Sequence, residues 1–530
     1  MRRGIPARRG GPGTRLGRGL LAACLLLGTV AGCTGGDPPR RVLRVLASAE
    51  LADMRPILDE LRAQTGVELQ LDLTGTVDAA NALDPGAYHH DLAWLSSDRY
   101  FRLKLAAGGY TGAPPLSTSI MTSPVAVGVT PAAARALRAA TPDQQVSWAD
   151  LADSAATGSL RFAMADPRRS NSGLAALIGV ATAAAGHGGA LRPEDVTCDR
   201  LRGFFTGHTV SAPDSAALVD QFVAHRADLD AVVNYESALL ALNASGRLPE
   251  PLELVYPQDG LVISDYPLLL LDPAQREAYD TAVAWLRSPA AQRQIMERTL
   301  RRPVDPTVAR DPRLAASMGN ALYYPDAKEV VDRLLDRYAD PALHTPTRVV
   351  FTLDFSGSMR GRRIAALREA FAALAGADRS SGGKFGRIFR GERFTVIRFG
   401  GRVLDERDLV VNSPADLDTL RSWLDVDSFD DSTAVWSALD HAYDRAAAMR
   451  REDPRQQVSI VLMTDGENNA GISLDRLLPA LRDTPVRTYA IAYGEADRAD
   501  LDRVARTTGG FAVDAGATSL LTAFKEIRGC

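Results

Sequence analysis

Several signatures are missing from this sequence, and each absence excludes a function class. The 9 methionines, 15 phenylalanines, 13 tyrosines and 5 tryptophans are scattered, so no cofactor box is visible. Gly382-Gly383 has basic neighbours but no GK[ST] signature, which excludes a phosphate loop of that type. No run after residue 33 reaches the ~18 apolar residues of a membrane span. Internal repeats and low-complexity blocks are absent. An excess of positive charge is absent too: 61 basic residues face 65 acidic ones, a net charge of −4. Six arginines (Arg2, Arg3, Arg8, Arg9, Arg15, Arg18) lie within residues 1–32, which hold no acid, so the rest of the chain is more acidic still. That balance excludes general nucleic-acid binding. Only 4 of the 61 basic residues are lysine, a bias that reads as GC-rich coding.

What is present is globular. A 46% hydrophobic and 24% charged composition excludes wholesale disorder. At ~150 residues per domain, 530 residues imply several folding units. The arginine-rich start leads into the apolar stretch Leu20–Leu27 and then Val30-Ala31-Gly32-Cys33. This resembles a bacterial lipobox, which implies a signal peptide over 1–32, a diacylated Cys33 and a Gly/Pro tether over 33–41. The protein is then expected on the extracytoplasmic face of the cell membrane, anchored by lipid, since each buried methylene contributes about 0.8 kcal/mol. Cys198 and Cys530 remain as free thiols or as a disulfide pair, and spacing does not decide between them.

From Val42 strands and helices alternate. Val42–Ala47, Val67–Leu73, Asp91–Leu95, Pro124–Val129, Leu160–Ala165, Ala231–Val233, Leu252–Tyr256 and Leu268–Leu271 read as strands. Met54–Gln64 and Gly173–Ala185 read as helices. This alternation predicts parallel sheets covered by helices, in two lobes over 42–300. A proline-studded connection with a helix at Ala327–Arg337 occupies 301–345. A doubly wound α/β unit is predicted over 346–528, with strands at Val349–Leu353, Phe394–Phe399, Val458–Thr464, Thr488–Tyr493 and Phe511–Val513.

The first strand of that last unit runs into Asp354-Phe355-Ser356-Gly357-Ser358. Extended backbone would project 354, 356 and 358 to one side, so that a carboxylate and two hydroxyls converge beyond the carboxyl end of a strand. Hard oxygen donors alone suit Mg²⁺ or Ca²⁺ better than zinc or copper. The motif resembles the metal-ion-dependent adhesion site of von Willebrand factor type A domains. The resemblance extends to Thr433, in Asp431-Ser432-Thr433-Ala434, and to Asp465, in Met463-Thr464-Asp465-Gly466. It implies a Mg²⁺ (or Ca²⁺/Mn²⁺) ion held by Asp354, Ser356, Ser358, Thr433 and Asp465, with one position left for an acidic residue of a protein partner. Asp430, Asp431 and Ser432 stand where many relatives carry glycines, a change that either repels an acidic partner or tightens the cation. No histidine adjoins these loops, so no general base for hydrolysis is in view, and the chain is not expected to be an enzyme.

The lipidated, two-lobed first unit resembles the solute-binding proteins of ABC importers, the type II periplasmic-binding fold. Four loops are the ligand candidates: Ser48 after the first strand, Ser96 and Ser97 after Asp91–Leu95, Ser170 and Ser172 at a helix start, and Tyr235 after Ala231–Val233. Helix amides at Ser170–Ser172 suit an anion, although ordinary capping places the same residues there. His89-His90-Asp91 lacks the third and fourth ligands of a zinc site. Two functions follow: an adhesion-type binding protein that engages an envelope or extracellular protein through the cation, or a receptor whose clamp captures a small solute or oxyanion.

Overall fold

The computed structural model describes residues 41–529 except 142, 197–199 and 455–456. The expected leader, Cys33, Cys198 and Cys530 lie outside the described residues. The strands, in chain order, are β1 (Arg41–Ser48), β2 (Val67–Thr74), β3 (Leu92–Trp94), β4 (Leu116–Ser119), β5 (Met121–Val129), β6 (Phe162–Ala165), β7 (His208–Ala212), β8 (Ala231–Tyr235), β9 (Glu253–Val255), β10 (Ile263–Ser264), β11 (Pro267–Leu270) and β12 (Arg302–Pro303). They build two sheets, ordered β2-β1-β3-β11-β4 and β10-β5-β8-β6-β7, with β9 and β12 also on β5.

These sheets are mixed, which corrects the all-parallel expectation. β11 runs antiparallel to both β3 and β4, and β5 runs antiparallel to β8. The reason lies in the connections. The chain crosses from the first sheet to the second between β4 and β5, returns between β10 and β11, and crosses again before β12. β5 and β11, which receive the first two crossings, are the strands that run against the parallel core of their sheets. Two crossings need backbone that few side chains adopt: Tyr266 has φ +42° and Leu300 φ +57°.

Residues 301–345 pack onto this clamp. Arg302, on β12, makes a buried pair with Glu236 (2.7 and 2.6 Å). Val308 and Leu314 pack on Met296. The helix Lys328–Ala339 has its apolar residues on one face, and Val330, Val331, Leu334 and Tyr338 join the clamp's main core.

Six further strands form the last sheet: β13 (Arg348–Asp354), β14 (Arg393–Phe399), β15 (Val403–Val410), β16 (Val458–Thr464), β17 (Thr488–Ala492) and β18 (Ala512–Asp514). Their order is β15-β14-β13-β16-β17-β18, with only β15 antiparallel. One core lies on each face of the sheet, as helices on both sides require. β15 carries no apolar run because it is an edge strand, and its Asp405-Glu406-Arg407-Asp408 keeps that edge charged. Between the helix Arg362–Ala372 and β14, residues 373–391 reach back to the clamp. Lys384 meets Asp150 at 2.6 Å, Arg387 meets Asp153 at 2.5 Å, and the Arg390 amide donates to the Ala156 carbonyl at 2.7 Å.

Candidate functional site

β13 and β16 are hydrogen-bonded neighbours at the sheet centre, so Asp354 and Asp465 emerge side by side from their carboxyl ends. After Asp354 the chain turns. Gly357–Met359 is a single 3-10 turn, so side-chain convergence arises from a tight loop and not from the extended alternation expected. The Ser356 amide donates to Asp354 Oδ1 at 2.7 Å, and the Ser356 and Ser358 hydroxyls lie 3.0 Å apart. The Ser358 hydroxyl donates to Asp465 Oδ1 at 2.7 Å. A Cβ built on Gly466 would stand 3.7 Å from both Ser358 Oγ and Thr433 Oγ1, which puts the threonine hydroxyl across the same small space.

Three residues outside the motif hold this arrangement. The Thr464 hydroxyl donates to Asp354 Oδ2 at 2.6 Å, so both oxygens of Asp354 accept a bond. Asn469 accepts from the Thr433 amide (2.8 Å) and its own amide donates to the Thr433 carbonyl (3.0 Å). Arg363 Nη1 donates to Asp465 Oδ2 at 2.5 Å. Thr464 was detectable as the polar residue closing an apolar strand. Asn469 and Arg363 gave no signal, because their roles depend on loop paths.

Asp354 is fully buried, and loss of solvation pushes its carboxyl up to about 6, against the hydrogen bonds that favour the charged form. Asp465 is fully buried as well. Two buried carboxylates among hydroxyls, with one guanidinium to offset them, fit a hard divalent cation. Asp430 and Ser432 are accommodated by glycines on the neighbouring loop. A Cβ on Gly400 would come within 2.3 Å of Asp430 Cβ, and one on Gly401 within 2.6 Å of Ser432 Oγ.

The clamp brings together a second polar group, at the carboxyl ends of its central strands. Ser48 bonds Thr76, whose hydroxyl lies 2.7 Å from Ser96 Oγ. From the other lobe the Tyr235 hydroxyl donates to Ser96 Oγ at 2.9 Å. Asn171 Nδ2 donates to Tyr235 (3.2 Å) and to Ser264 (3.0 Å). All of these residues are buried, so the two lobes are closed on each other by direct contact. Backbone contacts agree: the Val77 amide donates to the Arg169 carbonyl at 2.9 Å, beside Gly75.

Of the expected ligand residues, Ser48, Ser96 and Tyr235 belong to this network. Ser97 does not; its hydroxyl accepts from the Arg99 amide (3.4 Å) at a helix start. Ser170 and Ser172 pair with each other (3.1 Å) and with Ser215, and the residue between them, Asn171, is the one that reaches the cleft. Glu50 and Arg301 were not singled out by sequence. Glu50 Oε1, Tyr266 Oη and Arg301 Nε are buried without hydrogen-bond partners. Arg301 binds Asp53 (2.8 and 2.7 Å) and the Glu50 carbonyl (2.8 Å), and lies over the Tyr266 ring at 5.0 Å. Burial pushes the Glu50 carboxyl up to about 7. His90 meets Asp72 at 3.2 Å, and no group of three or more His, Cys, Asp or Glu side chains converges among the described residues.

Residues 43–298 match the family of bacterial extracellular solute-binding proteins, and residues 349–526 match the von Willebrand factor type A domain. No curated protein matches the chain. Among solved structures, the periplasmic binding protein AfuA from Actinobacillus pleuropneumoniae, with exogenous fructose-6-phosphate bound, is 14% identical. That match covers 57% of this chain and 98% of AfuA, at a TM-score of 0.43. Iron-bound HitA from Pseudomonas aeruginosa is 16% identical over 57% of this chain and 99% of its own, at 0.42. A periplasmic thiamin binding protein is 14% identical over 56% and 95%, at 0.44. The chain therefore joins a solute-binding domain of the bacterial extracellular type, residues 43–298, to a von Willebrand factor type A domain, residues 349–526.

Proposed function

We propose that this chain is a lipid-anchored binding protein of the extracytoplasmic membrane face whose type A domain engages a protein partner through a divalent cation. Asp354, Ser356, Ser358, Thr433 and Asp465 would hold the ion, and Mg²⁺ is the choice that best suits an all-oxygen set of this size. The supporting observation is the convergence of these side chains at the ends of β13 and β16, with Ser358 linking Ser356 (3.0 Å) to Asp465 (2.7 Å). When bound, the cation supplies a position for a carboxylate of the partner. The chain's own residues orient that position and offset no more of its charge than two carboxylates can. No bond is made or broken in this reading, so the protein acts by binding and not as an enzyme. No helix among the described residues is long and apolar enough to cross a membrane. Attachment in this reading is through acyl groups on Cys33, as the lipobox-like Val30-Ala31-Gly32-Cys33 implies.

Thermal unfolding of residues 40–530 with and without Mg²⁺ tests the reading, since these residues form one compact unit. An ion at a hundredfold its Kd stabilises by about 2.7 kcal/mol. Asp354→Ala is expected to abolish that stabilisation, and an unchanged magnesium response would sink the assignment.

A second reading, a clamp that captures a small solute or oxyanion, has an observation of its own. Glu50 Oε1, Tyr266 Oη and Arg301 Nε are buried beside the hydroxyl network without partners, and a buried polar atom left unpaired points to a missing group. Thermal-shift screening against oxyanions and small polar solutes separates the readings. A specific shift that persists in Asp354→Ala supports the clamp, and no shift with any solute argues against it.

A further inference from the structure

An unexplained feature lies at the opposite end of the type A sheet from Asp354. A cavity of about 380 Å³ opens there, between the amino ends of β13, β16 and β17, the helix Leu520–Gly529, and the clamp's helix Arg202–Gly207. That volume lies within the ~300–1,000 Å³ of small-molecule sites, which favour domain junctions. Its floor is apolar, made by core residues such as Val349, Phe351, Val461 and Phe524. Among the described residues its walls hold five arginines, Arg202, Arg387, Arg450, Arg487 and Arg528, against a single carboxylate, Glu392.

Glu392 is already committed. It accepts from Arg528 (2.7 Å), from the Thr347 hydroxyl (2.8 Å) and from the Phe389 amide (2.9 Å). Arg387 pairs through Nη1 with Asp153, yet its Nε is buried with no partner. Arg450 donates to a neutral acceptor, the Pro485 carbonyl, at 3.2 Å. Arg487 stands exposed at the rim. A bare inorganic anion would leave the apolar floor unfilled, and a neutral apolar molecule would leave the buried Arg387 Nε without an acceptor. We propose that this cavity binds a small organic anion with an apolar body: a carboxylate, sulfonate or phosphate monoester on an alkyl or aryl group. The anionic head meets Arg450, Arg487 and Arg387, and the body lies on the floor beneath the helix Leu520–Gly529. The site touches neither the Asp354 loop nor the lobe cleft, so it is independent of both readings above.

Titration calorimetry on residues 40–530 tests it with octyl phosphate, octanol and inorganic phosphate as separate probes. Octyl phosphate is expected to bind at least tenfold more tightly than either of the others. In Arg450→Gln/Arg487→Gln that affinity is expected to fall by tenfold or more, while Arg476→Gln, at an exposed position of the helix Leu474–Asp483, leaves it intact. Vesicles of phosphatidylglycerol in place of octyl phosphate distinguish a membrane headgroup from a soluble anion, since two acyl chains exceed the cavity. Equal affinity for octanol, no effect of the double substitution, or binding to vesicles alone overturns the proposal.

Discussion

At the scale of single residues, charge balance around two buried carboxylates decides what the type A site can hold. Arg363 Nη1 is 2.5 Å from Asp465 Oδ2, so a fixed positive charge stands beside an aspartate that the proposed cation needs. Like charges compete for one carboxylate. Arg363→Gln is therefore expected to raise Mg²⁺ affinity severalfold by calorimetry, and a weaker affinity would mean that the arginine orients Asp465 instead of competing for it. In the clamp the decisive residue is Glu50. Its carboxyl faces Arg301 at the lobe crossing, Asp214 before the helix Ser215–His225, and Ser96, Tyr235 and Tyr266 around the cleft. Burial holds its folded-state value near 7, above the 4.5 of a free side chain. The folded state binds this proton more tightly than the unfolded chain does, so the stabilisation is complete below about 4.5 and is lost as pH rises through 7. Lowering the pH from 8 to 5.5 should stabilise the clamp by about 2 kcal/mol. Glu50→Gln should flatten that slope in thermal unfolding; an unaltered slope would assign it to other groups.

Among elements, close backbone approaches fix how the lobes meet. Gly75 precedes the helix Thr76–Ala82, and a Cβ there would lie 2.3 Å from the Arg169 carbonyl of the other lobe. That carbonyl receives the amides of Val77 and Asp78 (2.9 and 3.3 Å), while the Arg169 side chain pairs with Asp78 (2.8 Å). A methyl group at this point has backbone as its neighbour and no flexible side chain to displace. Gly75→Ala is expected to part the lobes at a cost of about 1–3 kcal/mol, seen as a larger radius of gyration in solution scattering and a lower Tm. An unchanged radius would contradict a clamp held shut by this contact.

The elements also show what the sequence could and could not reveal. β1, β13 and β16 were legible because strands inside a sheet carry apolar runs, and the edge strand β2 because its apolar residues alternate with polar ones. The two-residue β10 and β12 were not, since they take their pairing from β5, far along the chain, and neither was β15, an edge strand with no apolar run that pairs with the preceding β14. The same limit applies to the sites. Asp354, Ser356 and Ser358 are near neighbours in sequence and declared themselves. Asn171 and Thr76 meet their partners only once distant strands assemble, and the Ser97 hydroxyl accepts from the Arg99 amide outside that network.

For the whole molecule, the contrast between two recognition surfaces is the main result. The clamp is closed by its own groups, the Tyr235 hydroxyl on Ser96 and the Val77 amide on the Arg169 carbonyl. The type A domain instead gathers hydroxyls and buried carboxylates at one end of its sheet, and segment 373–391 ties it to the clamp through Lys384–Asp150 and Arg387–Asp153. The central claim is that a divalent cation belongs to the type A domain. Anomalous diffraction from crystals of residues 40–530 soaked in Mn²⁺ tests it most directly. We expect one strong peak among Asp354, Ser356, Ser358, Thr433 and Asp465, with Arg363 withdrawn from Asp465 and no peak in the clamp. A peak in the lobe cleft, or none at the ends of β13 and β16, would contradict the account.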